Sequence, residues 1–236
     1  MTRSAVRNVY ADVFAAPTIR HTEVDGLRII LDLNVESYLI LDNTASEFWS
    51  VLMGEVDFTT SLDNLVKRFD VDEDRLRTEF AKFTERCLAQ GLLARPASIK
   101  PEATSVSSYR WYPGRLRTFG ALVCLIATAR SLAKQGFRKT YEKYSLLPVL
   151  PHAPSLSAVL PGFTKAENLF IARRAPGDCL VRSLALYRYL RSINIPAEHI
   201  IGVRRFPFGA HAWVEYHGSP VLDNLSGRFK PIARIG

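Results

Sequence analysis

Apolar and polar positions alternate in three runs near the N-terminus, and this pattern predicts three short strands. The runs cover residues 18–24, 27–33 and 37–41. An Asp25-Gly26 pair between the first two runs is a strong hairpin signal. After Asp42 the apolar residues recur at helical spacing instead. The pattern therefore predicts a small sheet of three strands followed by helices.

Three helices fit the helical spacing that follows. The first begins after a cap at Asn43 or Thr44, with Glu47 placed for a capping box, and the others cover residues 61–69 and 72–90. Three strands followed by three helices predict a winged helix-turn-helix.

The rest of the chain begins with a strongly apolar segment. Residues 116–134 are apolar on most faces and predict a buried helix. Residues 137–160 are basic and then rich in proline, and they predict little beyond a helix end and an irregular loop. The last predicted elements are one helix and three strands, at residues 179–194, 199–203, 211–216 and 220–224.

Charge divides the chain into two parts. Of the 236 residues 47% are hydrophobic, and the formal net charge is +8, which describes a globular protein of one or two domains. Residues 1–97 carry 11 Lys and Arg against 16 Asp and Glu, a net charge of −5, whereas residues 98–236 carry 20 against 7, a net charge of +13. Proline, serine and threonine interrupt the pattern between them. We therefore expect domains at residues 1–97 and 110–236, with a linker at residues 98–109.

Composition also excludes several classes of function. The three cysteines lie 37 and 55 residues apart, a spacing that builds no tetrahedral zinc site, and we expect neither a metal nor another cofactor. Sparse cysteine and the lack of a signal peptide or bilayer-spanning run predict a cytoplasmic protein with no membrane partner. The first part is acidic, and the basic residues of the second part are not interleaved with aromatic ones. We therefore expect no nucleic acid partner.

An acidic winged helix fits peptide binding better than DNA binding. Its third helix begins with Asp72-Glu73-Asp74, which would repel phosphates at the end where recognition helices contact bases. Its third strand can instead add an extended peptide to the edge of the sheet. From the residues alone, this peptide-binding role and a purely structural role stay equally open.

The segment that begins at Cys179 contains the residues best suited to catalysis. A turn and Asp178, a suitable N-cap, precede it. An amphipathic helical pattern follows, in which Arg182, Arg188 and Arg191 face water. In the first turn of a helix, unpaired N–H groups and the helix dipole favour a thiolate and can hold an oxyanion.

His211 and Asp223 lie on two predicted strands joined by a turn at residues 217–219. In such a hairpin the two side chains fall at the same end of the ladder, within a residue or two of register. The imidazole could then take the proton of the Cys179 thiol while the carboxylate fixes its tautomer. A cysteine at a helix start, followed by a histidine and an aspartate on adjacent strands, is the papain-like order along the chain. The same residues also fit a structural role, as a packed cysteine and a core histidine.

Two segments of the C-terminal part resemble a known family. Residues 176–191, PGDCLVRSLALYRYLR, and residues 209–224, GAHAWVEYHGSPVLDN, are similar to the leader peptidase of lasso peptide biosynthesis. That enzyme, the B protein, is a transglutaminase-like cysteine protease, and the likeness covers residues 110–236. Residues 18–93 resemble the RiPP recognition element, a small winged helix similar to the pyrroloquinoline quinone peptide chaperone.

The resemblance implies an α+β chain in which a winged helix-turn-helix is joined to a papain/transglutaminase-like cysteine protease domain. It implies that the protein captures the leader of a lasso precursor peptide and hydrolyses the leader–core bond. An ATP-dependent, asparagine synthetase-like lasso cyclase is the implied partner. Cys179 would be the nucleophile, His211 the general base and acid, and Asp223 the orienting carboxylate. The implied leader-binding residues are Tyr38, Leu39, Ile40, Leu41, Leu76, Phe80 and Phe83.

Two other functions fit the same residues. A transglutaminase-like acyltransferase uses the same triad whenever an amine outcompetes water. A non-catalytic peptide-binding scaffold would need Cys179 only for packing, and it predicts that replacing Cys179 changes stability and no activity.

Overall fold

The chain forms two compact units, Met1–Glu102 and Ala103–Gly236. The computed structural model describes residues 12–96, 117–148, 154–169 and 179–236. Each unit contains both helices and strands, which confirms the predicted α+β class. The predicted linker at residues 98–109 lies outside the described residues.

The N-terminal unit has three helices and a three-stranded antiparallel sheet. Its elements are β1 (Phe14–Ala15), β2 (Ile19–Val24), β3 (Leu27–Asp32), β4 (Ser37–Ile40), α1 (Asn43–Leu52), α2 (Phe58–Phe69), α3 (Glu73–Ala89) and β5 (Leu93–Ala94). The main sheet has the order β2-β3-β4, and β1 pairs separately with β5. The three strands and three helices predicted for a winged helix-turn-helix are confirmed.

Each helix of this unit begins after an aspartate whose side chain accepts a hydrogen bond from a backbone N–H of the first turn. The three caps are Asp42, Asp57 and Asp72. The predicted cap at Asn43 or Thr44 was wrong. Asp42 precedes both and has the extended backbone and the carboxylate acceptor that a cap needs.

The core of the unit lies between the helices and one face of the sheet. The ring of Phe48 lies 5.2 Å from that of Phe80 and 5.8 Å from that of Phe83, measured between centroids. Trp49 is fully buried in the same cluster, and Ile30 of β3 packs against it. The side of β3 that carries Ile30 is therefore the side facing the helices.

The C-terminal unit combines three helices with a four-stranded antiparallel sheet. Its elements are α4 (Arg117–Ser145), α5 (Leu156–Leu169), α6 (Cys179–Ser192), β6 (Ala197–Arg204), β7 (Gly209–Tyr216), β8 (Ser219–Val221), a 3₁₀ turn (Ser226–Arg228) and β9 (Lys230–Ile235). The sheet has the order β8-β7-β6-β9. Helix α6 packs against β6 and β7 and also against α4, so it occupies the middle of the unit.

The region between residues 116 and 160 contains more helix than its sequence predicts. Helix α4 breaks at Gly136, where φ is 75°, and then continues to Ser145. Its second part buries Phe137, Tyr141 and Tyr144, whose spacing of four and three residues is helical. The prediction of a largely irregular region was wrong because its basic residues belong to the exposed face of an amphipathic helix.

The first part of α4 is amphipathic, although its sequence predicts burial on most faces. Cys124 and Leu125 are buried, whereas Phe119 and Val123 are exposed. In the described part of the chain α4 packs mainly against α5 and α6, and Phe119 and Val123 lie on a side of the helix that these contacts leave exposed.

Helix α6 is buried along most of its length. The prediction that its arginines face water was wrong for Arg188, which is buried, whereas Arg182 and Arg191 are partly exposed. Helix α4 packs on α6 together with the sheet, so the arginines find partners within the protein. Arg188 donates to Tyr144 Oη at 2.9 Å, Arg191 donates to Leu147 O at 3.1 Å, and Arg182 pairs with Glu167.

His199 of β6 is fully buried beneath α6, and this burial makes the unit sensitive to acid. Its Nε2 lies 2.9 Å from Ser183 Oγ, and the rings of Tyr141 and Tyr187 flank it. Burial lowers the pKa of His199 from 6.5 to about 3. At pH values between these two, the unfolded chain binds a proton here that the folded chain excludes. We expect His199 to lower the free energy of unfolding by up to about 1.4 kcal/mol for each pH unit between about pH 6 and about pH 3.

Denaturant unfolding at several pH values tests this expectation. His199→Gln removes the titrating group, and we expect its stability to vary less steeply than that of the parent between about pH 6 and about pH 4. His217→Gln, at an exposed turn, is the matched control and keeps the parent's dependence. Equal slopes for the parent and His199→Gln would contradict the assignment.

Candidate active site

The structure joins His211 and Asp223 directly. His211 Nε2 lies 2.6 Å from Asp223 Oδ2, and the two side chains are only 11% and 8% exposed. Because this hydrogen bond occupies Nε2, Nδ1 is the ring nitrogen that can exchange a proton with a nucleophile. The pair therefore has the arrangement of an imidazole oriented by a carboxylate.

The hairpin of β7 and β8 accounts for this proximity. Its turn is His217-Gly218, with φ values of 50° and 73°, the left-handed backbone that tight hairpins require. Val214 then pairs with Val221, and the chain continues from β8 to Asp223. His211 lies near the start of β7, so the carboxylate and the imidazole meet at the end of the ladder away from the turn.

Asp223 is held through both of its oxygens. While Oδ2 contacts His211, Oδ1 accepts the backbone N–H groups of Leu225 at 3.0 Å and Ser226 at 2.7 Å. Burial alone would raise the pKa of Asp223, but the hydrogen bonds from His211, Ser226 and Leu225 outweigh it and hold this pKa below its ordinary value. The carboxylate is therefore ionised at neutral pH and can stabilise an imidazolium.

Aromatic rings enclose His211 on its own face of the sheet. Trp213 stacks on it with centroids 6.0 Å apart, and Phe229 lies 5.2 Å away. Gly202, which pairs with His211 across the strands, makes this possible, since a Cβ there would lie 2.7 Å from the Trp213 ring. The sequence pattern did not identify Gly202, Trp213 or Phe229 as residues of the site. Two-residue spacing on a strand could have identified Trp213, whereas Gly202 and Phe229 come from other parts of the chain and have no local signal.

Cys179 is the first residue of α6, as the sequence predicts, and its side chain is partly exposed. Cys87 and Cys124 are both buried, and burial raises the pKa of their thiols to about 11 and about 12. Cys179 is thus the one cysteine of the three that both begins a helix and reaches solvent. The predicted N-cap, Asp178, lies outside the described residues.

The position of Cys179 relative to the other two residues is set by the packing of α6. This helix lies against β7, the strand that carries His211. Within the part of the chain that the structure describes, no hydrogen bond joins the Cys179 thiol to His211 or Asp223. The contact that does connect the first turn of α6 with the Asp223 turn comes from Arg182, which donates to Leu222 O at 3.0 Å.

In the N-terminal unit, β4 is an edge strand of the main sheet. Leu39 pairs with Ile30, so its side chain lies on the side facing the helices, yet it is 42% exposed. Ile40 pairs with Ile29 and points to the other side, with a similar exposure of 41%. The strand therefore offers an apolar side chain on each face next to its edge.

Of the other predicted leader-binding residues, only Tyr38 also lies on β4. Its side chain is partly buried, whereas four residues lie in the core of the unit rather than at its surface: Leu41, Leu76, Phe80 and Phe83. Side chains that fill the space between the helices and the sheet have little area left for a peptide. The structure thus brings Tyr38, Leu39 and Ile40 together at the sheet edge, whereas the helical residues are buried in the core.

Two further features of the described residues concern membranes and metals. None of their helices has both the length and the apolar character of a membrane span. They also contain no group of three or more His, Cys, Asp or Glu side chains arranged to hold a metal ion.

Two protein families match separate parts of the chain. Residues 28–93 match Coenzyme PQQ synthesis protein D (PqqD), and residues 121–234 match the transglutaminase-like superfamily. The second match contains Cys179, His211 and Asp223, and the first contains all of β4.

Similarity to individual proteins is more limited. The microcin J25-processing protein McjB of Escherichia coli is 47% identical over 60 residues, which are 25% of this chain and 29% of McjB. The chain thus matches less than a third of the length of this relative. Two solved structures are also similar, TbiB1 in complex with the TbiA(beta) leader peptide and lasso peptide synthetase B1 complexed with the leader peptide. They are 20% and 17% identical, cover 34% and 35% of this chain and 92% and 98% of their own chains, and have TM-scores of 0.30 and 0.31.

The order of these matches agrees with the two compact units of the structure. The PqqD match lies within the first unit, and the transglutaminase-like match lies within the second.

Proposed function

We propose that this protein is a leader peptidase, which binds the leader of a ribosomally synthesised lasso precursor and hydrolyses the leader–core peptide bond. The observation that carries the proposal is the 2.6 Å hydrogen bond between His211 and Asp223 in a domain whose helix α6 begins with Cys179. The transglutaminase-like match over residues 121–234 supports a Cys-His-Asp site. The name of McjB, a processing protein, supports peptide cleavage as the reaction.

The proposed reaction proceeds in two halves. The Cys179 thiolate attacks the carbonyl carbon of the leader–core bond, and N–H groups in the first turn of α6 stabilise the oxyanion. His211, protonated by the thiol, gives its proton to the departing amine of the core, and a thioester with the leader remains. His211 then takes a proton from water, which hydrolyses the thioester and releases the leader as a carboxylic acid. Asp223 keeps the imidazole oriented and stabilises its charged form throughout.

We further propose that the leader binds as an additional strand at the β4 edge. Main-chain hydrogen bonds would supply affinity, and side chains on the face shared with Leu39 would pack towards the helices. Capture by one domain raises the effective concentration of the scissile bond at the other. The core with its free amine would then be the substrate of the ATP-dependent cyclase. Because that enzyme uses ATP, we propose that leader removal takes place in the cytoplasm.

Leu39 and Ile40 form a matched pair that tests the binding mode. They are neighbours with nearly equal exposure on opposite faces of β4. We expect Leu39→Asp to weaken leader binding by about tenfold or more, because it places a charge among packed apolar side chains, and Ile40→Asp to weaken it less. Fluorescence anisotropy of a labelled leader peptide with the full chain measures both. Equal losses for the two variants, or no loss for either, would contradict the proposed face.

Mass spectrometry of the precursor peptide encoded beside this gene tests the reaction. The parent protein is expected to cut it at one junction, and Cys179→Ala is expected to bind it without cutting. Cys124→Ala, at a buried cysteine, is the matched control and retains cleavage. Cleavage by Cys179→Ala at the parent rate would rule out this nucleophile.

Adding a primary amine to the same reaction distinguishes hydrolysis from acyl transfer. A leader peptidase gives a leader that ends in a free carboxylate even when the amine is present. A leader that ends in an amide at low amine concentration would identify an acyltransferase instead. A scaffold would bind the precursor and give neither product.

A further inference from the structure

Arg182 connects three elements of the C-terminal unit. It lies on α6 three residues after Cys179, so the two occupy neighbouring positions on one side of the helix. Its guanidinium pairs with Glu167 of α5 through Nε and donates through Nη1 to Leu222 O at 3.0 Å. One side chain thus ties the first turn of α6 both to α5 and to the segment that follows β8.

Leu222 occupies a critical place in that segment. It lies between β8, which ends at Val221, and Asp223, whose carboxylate contacts His211. Its φ of 53° is in the left-handed region, which is unfavourable for a residue with a branched side chain. Such a conformation persists only where its surroundings hold it. The hydrogen bond from Arg182 to the Leu222 carbonyl is a direct restraint of this kind.

We propose that Arg182 is a positioning residue, which holds the Leu222 carbonyl and thereby fixes the turn that presents Asp223 to His211 beside the first turn of α6. Its catalytic consequence rests on the proposed function, whereas its effect on the His211–Asp223 contact does not. Arginine suits the task because its planar fork binds a carboxylate and a carbonyl at the same time. The ammonium of a lysine can reach one of them well and not both.

The same helix supplies a matched comparison. Arg191 also donates to a backbone carbonyl, that of Leu147, but it does so nine residues further along α6. Removing this contact loosens the packing of α6 without touching the Asp223 turn. Arg191→Gln therefore shows how far the loss of any arginine–carbonyl contact from α6 changes the His211–Asp223 contact and kcat.

The test compares Arg182→Gln, Arg182→Lys and Arg191→Gln with the parent. Proton NMR detects the imidazole proton shared by His211 and Asp223, which the spectrum of His211→Ala identifies. We expect this resonance to move upfield and to exchange faster with water in Arg182→Gln, to change less in Arg182→Lys, and to stay in place in Arg191→Gln. For leader removal, we expect Arg182→Gln to lower kcat by about 10²-fold with KM changed little, because misplaced groups affect the transition state more than substrate binding.

Three results would overturn the proposal. One is an unchanged His211 resonance in a folded Arg182→Gln protein, and another is the same displacement in Arg191→Gln. If Arg182→Gln does not fold, Arg182→Lys decides, and parent values for both its resonance and its kcat would overturn the proposal. Because the NMR signal requires no substrate, it tests the positioning role even if the protein cleaves no leader peptide.

Discussion

Replacing Asp223 by Ala is expected to lower kcat for leader removal by about 10³-fold, with little change in KM. The 2.6 Å contact between Asp223 and His211 occupies Nε2, which leaves Nδ1 as the ring nitrogen that can exchange a proton with the proposed nucleophile. Without the carboxylate the ring can rotate and adopt either tautomer, and its charged form loses a counter-ion. Steady-state kinetics with the precursor peptide measures the two constants separately.

Asp223→Asn keeps the shape of the side chain and removes its charge. The Asn side chain has one acceptor oxygen, so it can accept either from His211 Nε2 or from the N–H groups of Leu225 and Ser226, and its NH2 group then faces the other donors. Because it also lacks the charge that stabilises an imidazolium, we expect Asn to lower kcat about as much as Ala does. Asp57→Ala is a control for lost capping, because it removes the N-cap of α2 at a cost of about 1 kcal/mol in stability and leaves kcat unchanged. Equal activity for Asp223→Ala and the parent would exclude the proposed role of this residue.

Phe80→Ala is expected to lower the free energy of unfolding of the N-terminal unit by about 3–5 kcal/mol. Phe80 is 2% exposed, and its ring contacts those of Phe48 and Phe58 at centroid distances of 5.2 and 4.9 Å. Truncation leaves a cavity that rigid helices on both sides cannot close. Phe69→Ala, at a phenylalanine that is 43% exposed on α2, is expected to cost less than about 1 kcal/mol.

Denaturant unfolding followed by hydrogen exchange mass spectrometry measures this loss in the N-terminal unit alone. The result also decides between two roles for Phe80. A side chain of the core costs stability when truncated, whereas a side chain at the surface of a binding groove costs leader affinity. Loss of leader affinity with unchanged stability would contradict the core position.

The sequence predicted the elements whose signals are local. Alternation and the Asp25-Gly26 turn identified β2, β3 and β4, and helical spacing identified the three helices of the first unit. The start of α6 at Cys179 was also predictable, because the sequence places turn-forming residues and a residue suited to an N-cap before an apolar periodic run. The proximity of His211 and Asp223 followed from the length of the hairpin, since a tight turn fixes which residues face each other.

The sequence did not predict features that depend on the packing of distant segments. Arg182, Arg188 and Arg191 have the pattern of a solvated helix face, but α6 is covered on both sides and its arginines bind carbonyl, hydroxyl and carboxylate groups. Phe80 and Phe83 have the same spacing whether they line a groove or fill a core. Only the depth of the helix in the fold decides between these two positions.

The measurement that tests the central claim most directly is the mass of the intact protein after brief reaction with the precursor peptide and rapid quenching in acid. We expect an adduct with the mass of the leader, located on the peptide that contains Cys179 and absent from the Cys179→Ala variant. Reaction in ¹⁸O-water should then place one heavy oxygen in the released leader. Cleavage that proceeds without an adduct and survives in Cys179→Ala would contradict the claim that Cys179 is the nucleophile of a leader peptidase.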